Sequence, residues 1–200
     1  MKKILAFLFC LFTITLWAQK NDPGEIKIPD FPRDSSTGKV YYSDVILLNG
    51  LSKDKILTKA EEWFQTNNSD LHYVLQVLNI EEGRIVLAAT FNSPVKEEPK
   101  ATIHHKIVIS VKDGKCRIQD TDFSYNFFRG ATAYGTMVSE SKDVSGTLEE
   151  YINEVDKFNN KAGKRININN LIVLSSNAKK SIQSFRDFMT SSTNAKQDNW

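Results

Sequence analysis

The segment from Thr37 to Phe64 constrains the fold most, because it predicts a strand, a tight turn and an amphipathic helix in direct succession. Residues Val40–Leu48 are almost all β-branched, aromatic or aliphatic, which is typical of a well-buried strand. Asn49-Gly50 follows, where the backbone adopts positive φ easily. Ser52 then occupies the N-cap position of a helix whose apolar residues recur at helical spacing. One face of this helix must therefore pack against the rest of the protein.

Four more strands are predicted after this helix, as two antiparallel hairpins. The apolar runs Tyr73–Ile80 and Arg84–Asn92 are separated by a short turn that contains a glycine. Thr102–Lys112 alternates apolar and polar residues more cleanly than any other part of the chain, and the turn signal Asp113-Gly114 leads to its partner strand, Lys115–Phe127. Together with the helices, this order predicts an α+β fold.

The second strand of the later hairpin changes its alternation along its length. Phe123, Tyr125 and Phe127 share one parity, whereas Ile118 has the opposite one. An extra residue in one strand of an antiparallel pair restores a common face. We therefore expect a β-bulge near Gln119–Asp122.

The C-terminal part of the chain predicts helices that follow a polar segment. Residues 129–146 are small and polar, and we expect a flexible loop there. Thr147 and Glu150 form a capping box that opens a helix. A second helix is predicted from Ser176 to Met189, whereas Arg165–Leu174 begins with strand-like alternation, so its conformation stays open.

The N-terminus has the layout of a secretory signal peptide. Lys2 and Lys3 precede the uncharged run Ile4–Trp17, and Ala18 offers a small residue for cleavage. The run is shorter than the ~20 residues that a transmembrane helix needs. We therefore expect an exported protein, periplasmic or extracellular, that is cleaved near Ala18 and keeps no stable membrane span. An uncleaved anchor is the less favoured alternative.

Cysteine content agrees with this expectation. Cys10 lies inside the apolar run and would leave with the signal peptide, so Cys116 would be the single thiol of the mature chain and no internal disulfide could form. Lipidation of Cys10 is disfavoured, because Leu8 and Phe9 stand where a lipoprotein signal needs small residues.

The charge balance argues against a nucleic-acid partner. The chain has 26 basic and 24 acidic side chains, and cleavage after Ala18 would remove Lys2 and Lys3 but no acid, which lowers the basic count by two, to 24. A phosphate-binding surface needs clustered, uncompensated Lys and Arg. We therefore predict no nucleic-acid binding for a mature chain that is formally neutral.

The middle of the chain resembles the domain-of-unknown-function family number 4468. The resemblance rests on motifs in the right order: Thr37–Val45 (TGKVYYSDV), a helix that begins at Ser52-Lys53-Asp54 and closes with Glu62-Trp63-Phe64, and the hairpin residues Glu82–Val86 (EGRIV). The family consists of exported proteins of Bacteroidetes, with a fold similar to the TATA-box-binding protein and no established activity. The resemblance implies a curved antiparallel sheet with helices on one face, and it provides no catalytic or binding residues.

The chain divides into six predicted segments. They are a signal peptide (1–18), an extended lead-in (19–36), the α+β domain that resembles the TATA-box-binding protein (37–128), a flexible loop (129–146), C-terminal helices that pack on the domain (147–190) and a tail (191–200). In the lead-in, Ile26, Ile28 and Phe31 are candidates for packing onto the domain.

Residues that could carry chemistry form no recognisable constellation. His104 and His105 are neighbours on a strand, so their rings point to opposite faces and cannot share a metal ion without a bulge. We expect His105 to be a hydrogen-bonded core residue and His104 to be solvated, while His72 has no partner in sequence. Cys116 is expected to be a small buried thiol. We predict no catalytic, cofactor-binding or metal-binding residues, and no cofactor.

Asp120 and Asp122 support an alternative hypothesis, an envelope hydrolase or a metal-dependent enzyme. On a regular strand both carboxylates would share a face, where they could act as acid and base or hold a metal ion with a nearby histidine. Most such pairs are simply the solvated side of an edge strand.

The first strand has apolar residues on both faces, since Tyr42 and Ile46 alternate with Tyr41 and Val45. If helices cover one face, the other is either covered by a second layer, for which the C-terminal helices are the simplest candidates, or is a docking surface. Our main hypothesis is a non-enzymatic binding or interaction module. It would hold an unknown protein or small-molecule ligand on one sheet face, with Tyr42 and Tyr125 at the contact surface.

Overall fold

The computed structural model of the protein describes residues 26–66, 72–92, 101–129, 133–134, 137–138, 142–157 and 161–191. The predicted signal peptide, residues 19–25 of the lead-in and residues 192–200 of the predicted tail lie outside this part of the chain.

The described residues form an α+β fold in which the predicted order of a strand, a helix and four strands is confirmed. In chain order the elements are β1 (Tyr42–Leu47), α1 (Lys53–Thr66), β2 (His72–Asn79), β3 (Arg84–Asn92), β4 (Ala101–Lys112), β5 (Lys115–Arg129), β6 (Ala133–Tyr134), β7 (Met137–Val138), β8 (Lys142–Thr147), α2 (Leu148–Lys157) and α3 (Lys161–Thr190).

An antiparallel six-stranded sheet is built around β5. Its strands follow the order β1-β5-β4-β3-β2, and β8 also pairs with β5. Along one edge of β5, β1 pairs with Lys115–Asp120 and β8 pairs with Ser124–Arg129. Along the other edge, β4 pairs with Lys115–Phe127. The long strand β5 is therefore the centre of the sheet.

Part of the segment expected to be a flexible loop forms the strand β8 instead. The strand β5 continues past the end of β1. Without β8, the backbone N–H and C=O groups on this edge of the second half of β5 would lack partners. The sequence of β8, KDVSGT, is polar and does not alternate, so its side chains gave no strand signal.

The predicted bulge in β5 is confirmed and lies at Asp122. Lys106 pairs with Thr121 and His104 with Ser124, so β5 has one more residue than β4 between these two pairs. Asp122 has a φ of 54°, and no other non-glycine residue in the described segments has a positive φ. The bulge reverses the parity of β5, which places Ile118 on the same face as Phe123 and Tyr125.

The helix α3 is 30 residues long and includes the segment whose conformation the sequence left open. A helix of this length extends about 45 Å. The residues Ile168, Leu171 and Leu174 are buried at spacings of three, which is a helical pattern. The strand-like alternation of Arg165–Leu174 was therefore misleading, because burial against the sheet follows the helical period instead.

All three helices cover the same face of the sheet. One buried cluster joins α1 and the end of α3 to the strands, and a second joins α2 and the first part of α3 to the bulged half of β5. Trp63 of α1 lies at the centre of the first cluster, with its ring 5.0 Å from that of Phe185 on α3. The C-terminal helices therefore do not form a second layer on the opposite face, contrary to the simplest expectation.

The lead-in packs on the second cluster. Phe31 is buried there, and Ile26 and Ile28 are partly buried against the same residues. A single bridge between Arg33 and Val40 holds the chain as it approaches β1.

Candidate binding surface on the uncovered face of the sheet

The strand β1 shows that the sheet has one packed face and one open face. Ile46 is 1% exposed, whereas its neighbours Val45 and Leu47 are 52% and 68% exposed. Successive side chains of a strand point to opposite faces, so Val45 and Leu47 point away from the helices. No helix of the described segments packs on this side of the sheet, which we call the uncovered face.

The strand register arranges the side chains of the uncovered face in rows, because directly opposed residues of antiparallel strands share a face. The rows are given from the β4–β5 turn inward, each in the order β1, β5, β4, β3, β2. The first row contains Leu47, Lys115 and Lys112, and the second contains Val45, Arg117, Ser110, Arg84 and Asn79. The third row contains Ser43, Gln119, Val108, Val86 and Val77, and the fourth, which begins at β5, contains Thr121, Lys106, Ala88 and Val74. None of these residues is acidic.

Four cations of the first two rows form what we call the cationic cluster: Arg84, Lys112, Lys115 and Arg117. All four are exposed, and none forms an ion pair with another residue of the described segments. Lys112 and Lys115 are directly opposed across the hairpin, an arrangement of like charges that destabilises a sheet. Arg84 and Arg117 flank Ser110 from its two neighbouring strands, about 10 Å apart at the backbone.

A groove of about 240 Å³ lies within this cluster. It is lined by Val45, Ser110, Lys112, Lys115, Cys116 and Arg117. Cations, a hydroxyl group and an exposed valine therefore meet at one place on the uncovered face. Guanidinium and ammonium groups donate hydrogen bonds and accept none, so this part of the surface suits an anionic group.

A fifth cation, Lys106, is already neutralised. Its Nζ donates to Oδ2 of Asp122 over 3.0 Å, and Lys39 Nζ donates to Oδ1 of the same carboxylate over 2.8 Å. The hydrogen bonds from Lys39 and Lys106 are the main reasons that the pKa of Asp122 lies below its ordinary value. The contrast with the cationic cluster is direct, because Lys106 has a carboxylate partner and the four clustered cations have none among the described residues.

The alternative hypothesis required Asp120, Asp122 and a histidine to converge, and the bulge prevents this. Asp120 is fully buried on the helix side, where its Oδ1 lies 2.6 Å from Nδ1 of His105. Asp122 is exposed and turned to Lys39 and Lys106. The expectation that both carboxylates share a face was therefore wrong, since it assumed a regular strand.

His105 is a core residue, as predicted. Its ring stacks on Phe123 with centroids 5.4 Å apart, and it meets the ring of Phe91 edge to face. Burial raises the pKa of Asp120, and the nearby His105 offsets part of that rise. His104 is exposed on the opposite face, as expected. The side chain of His72 lies outside the described part of the structure.

Tyr42 and Tyr125 are not available to a partner, so the docking role assigned to them was wrong. Both are buried beneath the C-terminal helices. Tyr42 donates its hydroxyl proton to Oγ of Ser175 over 2.9 Å, and the ring of Tyr125 lies 5.0 Å from that of Tyr151. The helices pack on the face that contains Tyr42, and the face that contains Tyr41 and Val45 is the open one.

Cys116 is a buried thiol, as predicted, and burial raises its pKa to about 12. Such a thiol forms almost no thiolate near neutral pH and is a poor nucleophile. Within the described segments, no group of three or more His, Cys, Asp or Glu residues is placed to hold a metal ion.

Sequence analysis missed the cationic cluster. The signal was present, because Lys112, Lys115 and Arg117 all occupy polar positions of one predicted hairpin. Arg84 comes from the other hairpin, and its position beside Ser110 depends on the register of β3 and β4. The near balance of 26 basic and 24 acidic side chains over the whole chain concealed a local excess of positive charge.

These observations define a class of protein: an antiparallel α+β domain with helices on one face and an open sheet face on the other. The family model described as "Domain of unknown function (DUF4468) with TBP-like fold" matches residues 42–126. The resemblance found in the sequence is therefore confirmed for these residues, which are similar to the domain of this family.

Two solved structures have a similar fold. A TBP-like protein from Parabacteroides distasonis ATCC 8503 is 18% identical, with a TM-score of 0.52, over 78% of this chain and 96% of that one. A DUF4468 family protein from Bacteroides ovatus ATCC 8483 is 14% identical, with a TM-score of 0.50, over 83% of this chain and 96% of that one. At this level of identity the similarity shows the fold alone.

No protein with a curated description matches the chain. Among the described helices, including the long α3, none combines the length and the apolar character needed to cross a membrane.

Proposed function

We propose that the protein is an exported, non-enzymatic binding module whose uncovered sheet face holds an acidic segment of a partner protein. The observation that carries this proposal is the cationic cluster, in which Arg84, Lys112, Lys115 and Arg117 surround Ser110 without a carboxylate partner in the described structure.

Electrostatics favours an anionic group at this place. Four like charges on adjacent strands repel one another, and a bound carboxylate reduces that repulsion. Arg84 and Arg117 can each donate two parallel hydrogen bonds to a carboxylate, which is the strongest form of this contact. Ser110 lies between the two arginines, and its hydroxyl group can donate one further hydrogen bond to the carboxylate.

The shape of the surface favours a protein over a small molecule. The groove of about 240 Å³ is smaller than the ~300–1,000 Å³ of typical small-molecule pockets. Exposed apolar side chains also lie at both edges of the uncovered face, Leu47 and Val45 on β1 and Val77 and Val74 on β2. A mixed apolar and cationic surface suits a partner segment that has both acidic and apolar side chains.

Nucleic acid is a poorer fit for the same surface. Among the residues in the four rows, four cations lack a carboxylate partner in the described structure, and they occupy one end of the face. The remaining rows are apolar or uncharged, apart from Lys106, which is paired with Asp122. An exported chain with a balanced charge also has little contact with nucleic acid.

Export is part of the proposal and rests on the N-terminal sequence. Lys2 and Lys3 followed by the uncharged run Ile4–Trp17 match the layout of a signal peptide, with cleavage near Ala18. The binding module would then work in the periplasm or outside the cell.

Photo-cross-linking in the native host tests the binding role. A photoreactive amino acid replaces Leu47 on the uncovered face, or Lys179 on the exposed side of α3 as the control position. We expect a discrete cross-linked protein from position 47 alone. It should disappear when the double substitution Arg84→Glu and Arg117→Glu is added, and persist with Lys179→Glu and Lys180→Glu, which change the net charge equally.

Three outcomes would contradict the proposal. One is equal cross-linking from positions 47 and 179. The second is a position-47 product that survives the charge reversal of Arg84 and Arg117. The third is a nucleic-acid adduct at position 47 in place of a protein.

A further inference from the structure

The outer edge of β2 is the second surface of the molecule that lacks a partner. The strand β2 ends the sheet, and from Val74 to Asn79 its outer backbone N–H and C=O groups pair with no other strand in the described segments. The four residues Val74, Leu75, Val77 and Leu78 are 40 to 62% exposed. They lie on both faces of the strand, since Val74 and Val77 belong to the uncovered face and Leu75 and Leu78 oppose the buried Leu87 and Ile85.

Natural sheet edges are usually protected by charge, proline or irregular backbone. From Tyr73 to Asn79 the sequence YVLQVLN contains no charged residue and no proline, and its one irregularity is the extra residue Gln76. The strands at the opposite edge differ. The strand β1 contains Asp44, which accepts a hydrogen bond from Arg186, and β8 begins with Lys142-Asp143.

We propose that β2 pairs antiparallel with β2 of a second copy of this chain, which joins the two sheets into one continuous sheet. An exposed edge requires an extended backbone as its occupant, because only a strand satisfies a row of alternating donors and acceptors. The uncharged sequence of β2 allows self-pairing without repulsion. A face-to-face pairing that brought the two cationic clusters together would be opposed by charge repulsion.

The bulge at Gln76 makes the strand complementary to itself. In a two-fold antiparallel pair the residues that oppose one another must share a face. If Val74 opposes Val77 of the second copy, both residues of the pair lie on the uncovered face. Tyr73 then opposes Leu78, and both residues of that pair lie on the face that the helices cover. This register therefore buries valine against valine on one face and places Leu78 next to Tyr73, which is already buried beneath the helices, on the other.

Sedimentation velocity of the mature protein over a range of concentrations tests the pairing. We expect a monomer at low concentration and a species of twice the mass at high concentration. Val77→Lys should abolish the larger species. Val45→Lys should leave it unchanged, because Val45 is a similarly exposed valine of the same face that lies on β1, at the opposite edge of the sheet. Melting temperatures of both variants establish that they are folded.

Cysteine pairing tests the register itself. The variants Val74→Cys and Val77→Cys are oxidised separately and as a mixture, while Cys116 stays buried and unreactive. We expect disulfide-linked dimers chiefly in the mixture, because position 74 opposes position 77 and identical positions lie about 10 Å apart along the strand. A wild-type protein that is monomeric throughout would overturn the inference, as would a dimer that Val77→Lys leaves intact. Neither result depends on the cationic cluster, so this inference and the proposed function fail separately.

Discussion

Nδ1 of His105 lies 2.6 Å from Oδ1 of Asp120, and both side chains are buried beneath the helices. The other polar atoms of the pair, Nε2 of His105 and Oδ2 of Asp120, have no hydrogen-bond partner within the described residues. The pair therefore satisfies only part of its hydrogen-bonding capacity in a dry core, where an ionised carboxylate is disfavoured.

This pair predicts a pH dependence of stability. Burial raises the pKa of Asp120 above its ordinary value of 3.8, so the folded state binds this proton more tightly than the unfolded state does. The contribution of Asp120 to the free energy of unfolding is then greatest below pH 3.8 and decreases as the pH rises through the folded pKa. Asp120→Asn removes the titration and keeps an acceptor for His105.

Urea unfolding of both proteins at several pH values checks this prediction. We expect the stability of Asp120→Asn relative to wild type to increase with pH above 3.8. A difference that stays constant over the whole range would show that Asp120 titrates normally in the folded protein.

Tyr42 should respond to charge very differently from its neighbour Tyr41. Tyr42 is buried and bonded to Ser175, so Tyr42→Lys is expected to destabilise the protein by ~3–5 kcal/mol or to unfold it. Tyr41 lies on the uncovered face, where it accepts a hydrogen bond from Gln119, so Tyr41→Lys should cost about 1 kcal/mol. Unfolding free energies measured by circular dichroism in urea check both values, and similar values for the two variants would contradict the assignment of faces.

Two turn glycines predict different sensitivities to a methyl group. Gly83 and Gly114 both have positive φ, 66° and 72°. A Cβ at Gly83 would lie 2.5 Å from the carbonyl oxygen of Val111, whereas at Gly114 it would meet nothing within 4 Å. Gly114→Ala should therefore cost about 1–2 kcal/mol from backbone strain alone, and Gly83→Ala should cost clearly more. Thermal unfolding of the two variants provides the comparison. Equal losses of stability would show that the β2–β3 turn can move away from Val111 of β4 at little cost.

Export predicts a defined mature N-terminus. If residues 1–18 are a signal peptide, protein isolated from its own host begins at Gln19, and Ala18→Arg should cause the uncleaved chain to accumulate. N-terminal sequencing and the intact mass establish which form is present. A chain that retains Met1 and remains in the cytoplasm would contradict the export proposal.

The sequence predicted most of the sheet correctly, because alternation and turn residues act locally. The parity change between Ile118 and Phe123 was enough to locate the bulge that the structure has at Asp122. The strand β8 was missed because its pairing depends on the free edge of β5 and not on its own side chains. In Arg165–Leu174 the apolar residues fit both a strand-like and a helical period, and the segment is helical because the helical period buries its apolar residues against the sheet.

The candidate site was harder to predict, because its position depends on which face of the sheet the helices cover. Tyr41 and Tyr42 are both aromatic, so composition could not tell the packed face from the open one. The cationic cluster combines residues of three strands, and its members become neighbours only through the registers of the β3–β4 and β4–β5 pairings.

The most direct test of the binding role is a nuclear magnetic resonance titration of the mature protein with poly-L-glutamate, with poly-L-lysine as the control. We expect amide shifts that centre on Ser110, Lys112, Lys115, Arg117 and Arg84, that weaken with salt, and that the double substitution Arg84→Glu and Arg117→Glu abolishes. Shifts spread equally over the lysines of α3, or shifts that survive the double substitution, would contradict a binding site on the uncovered face.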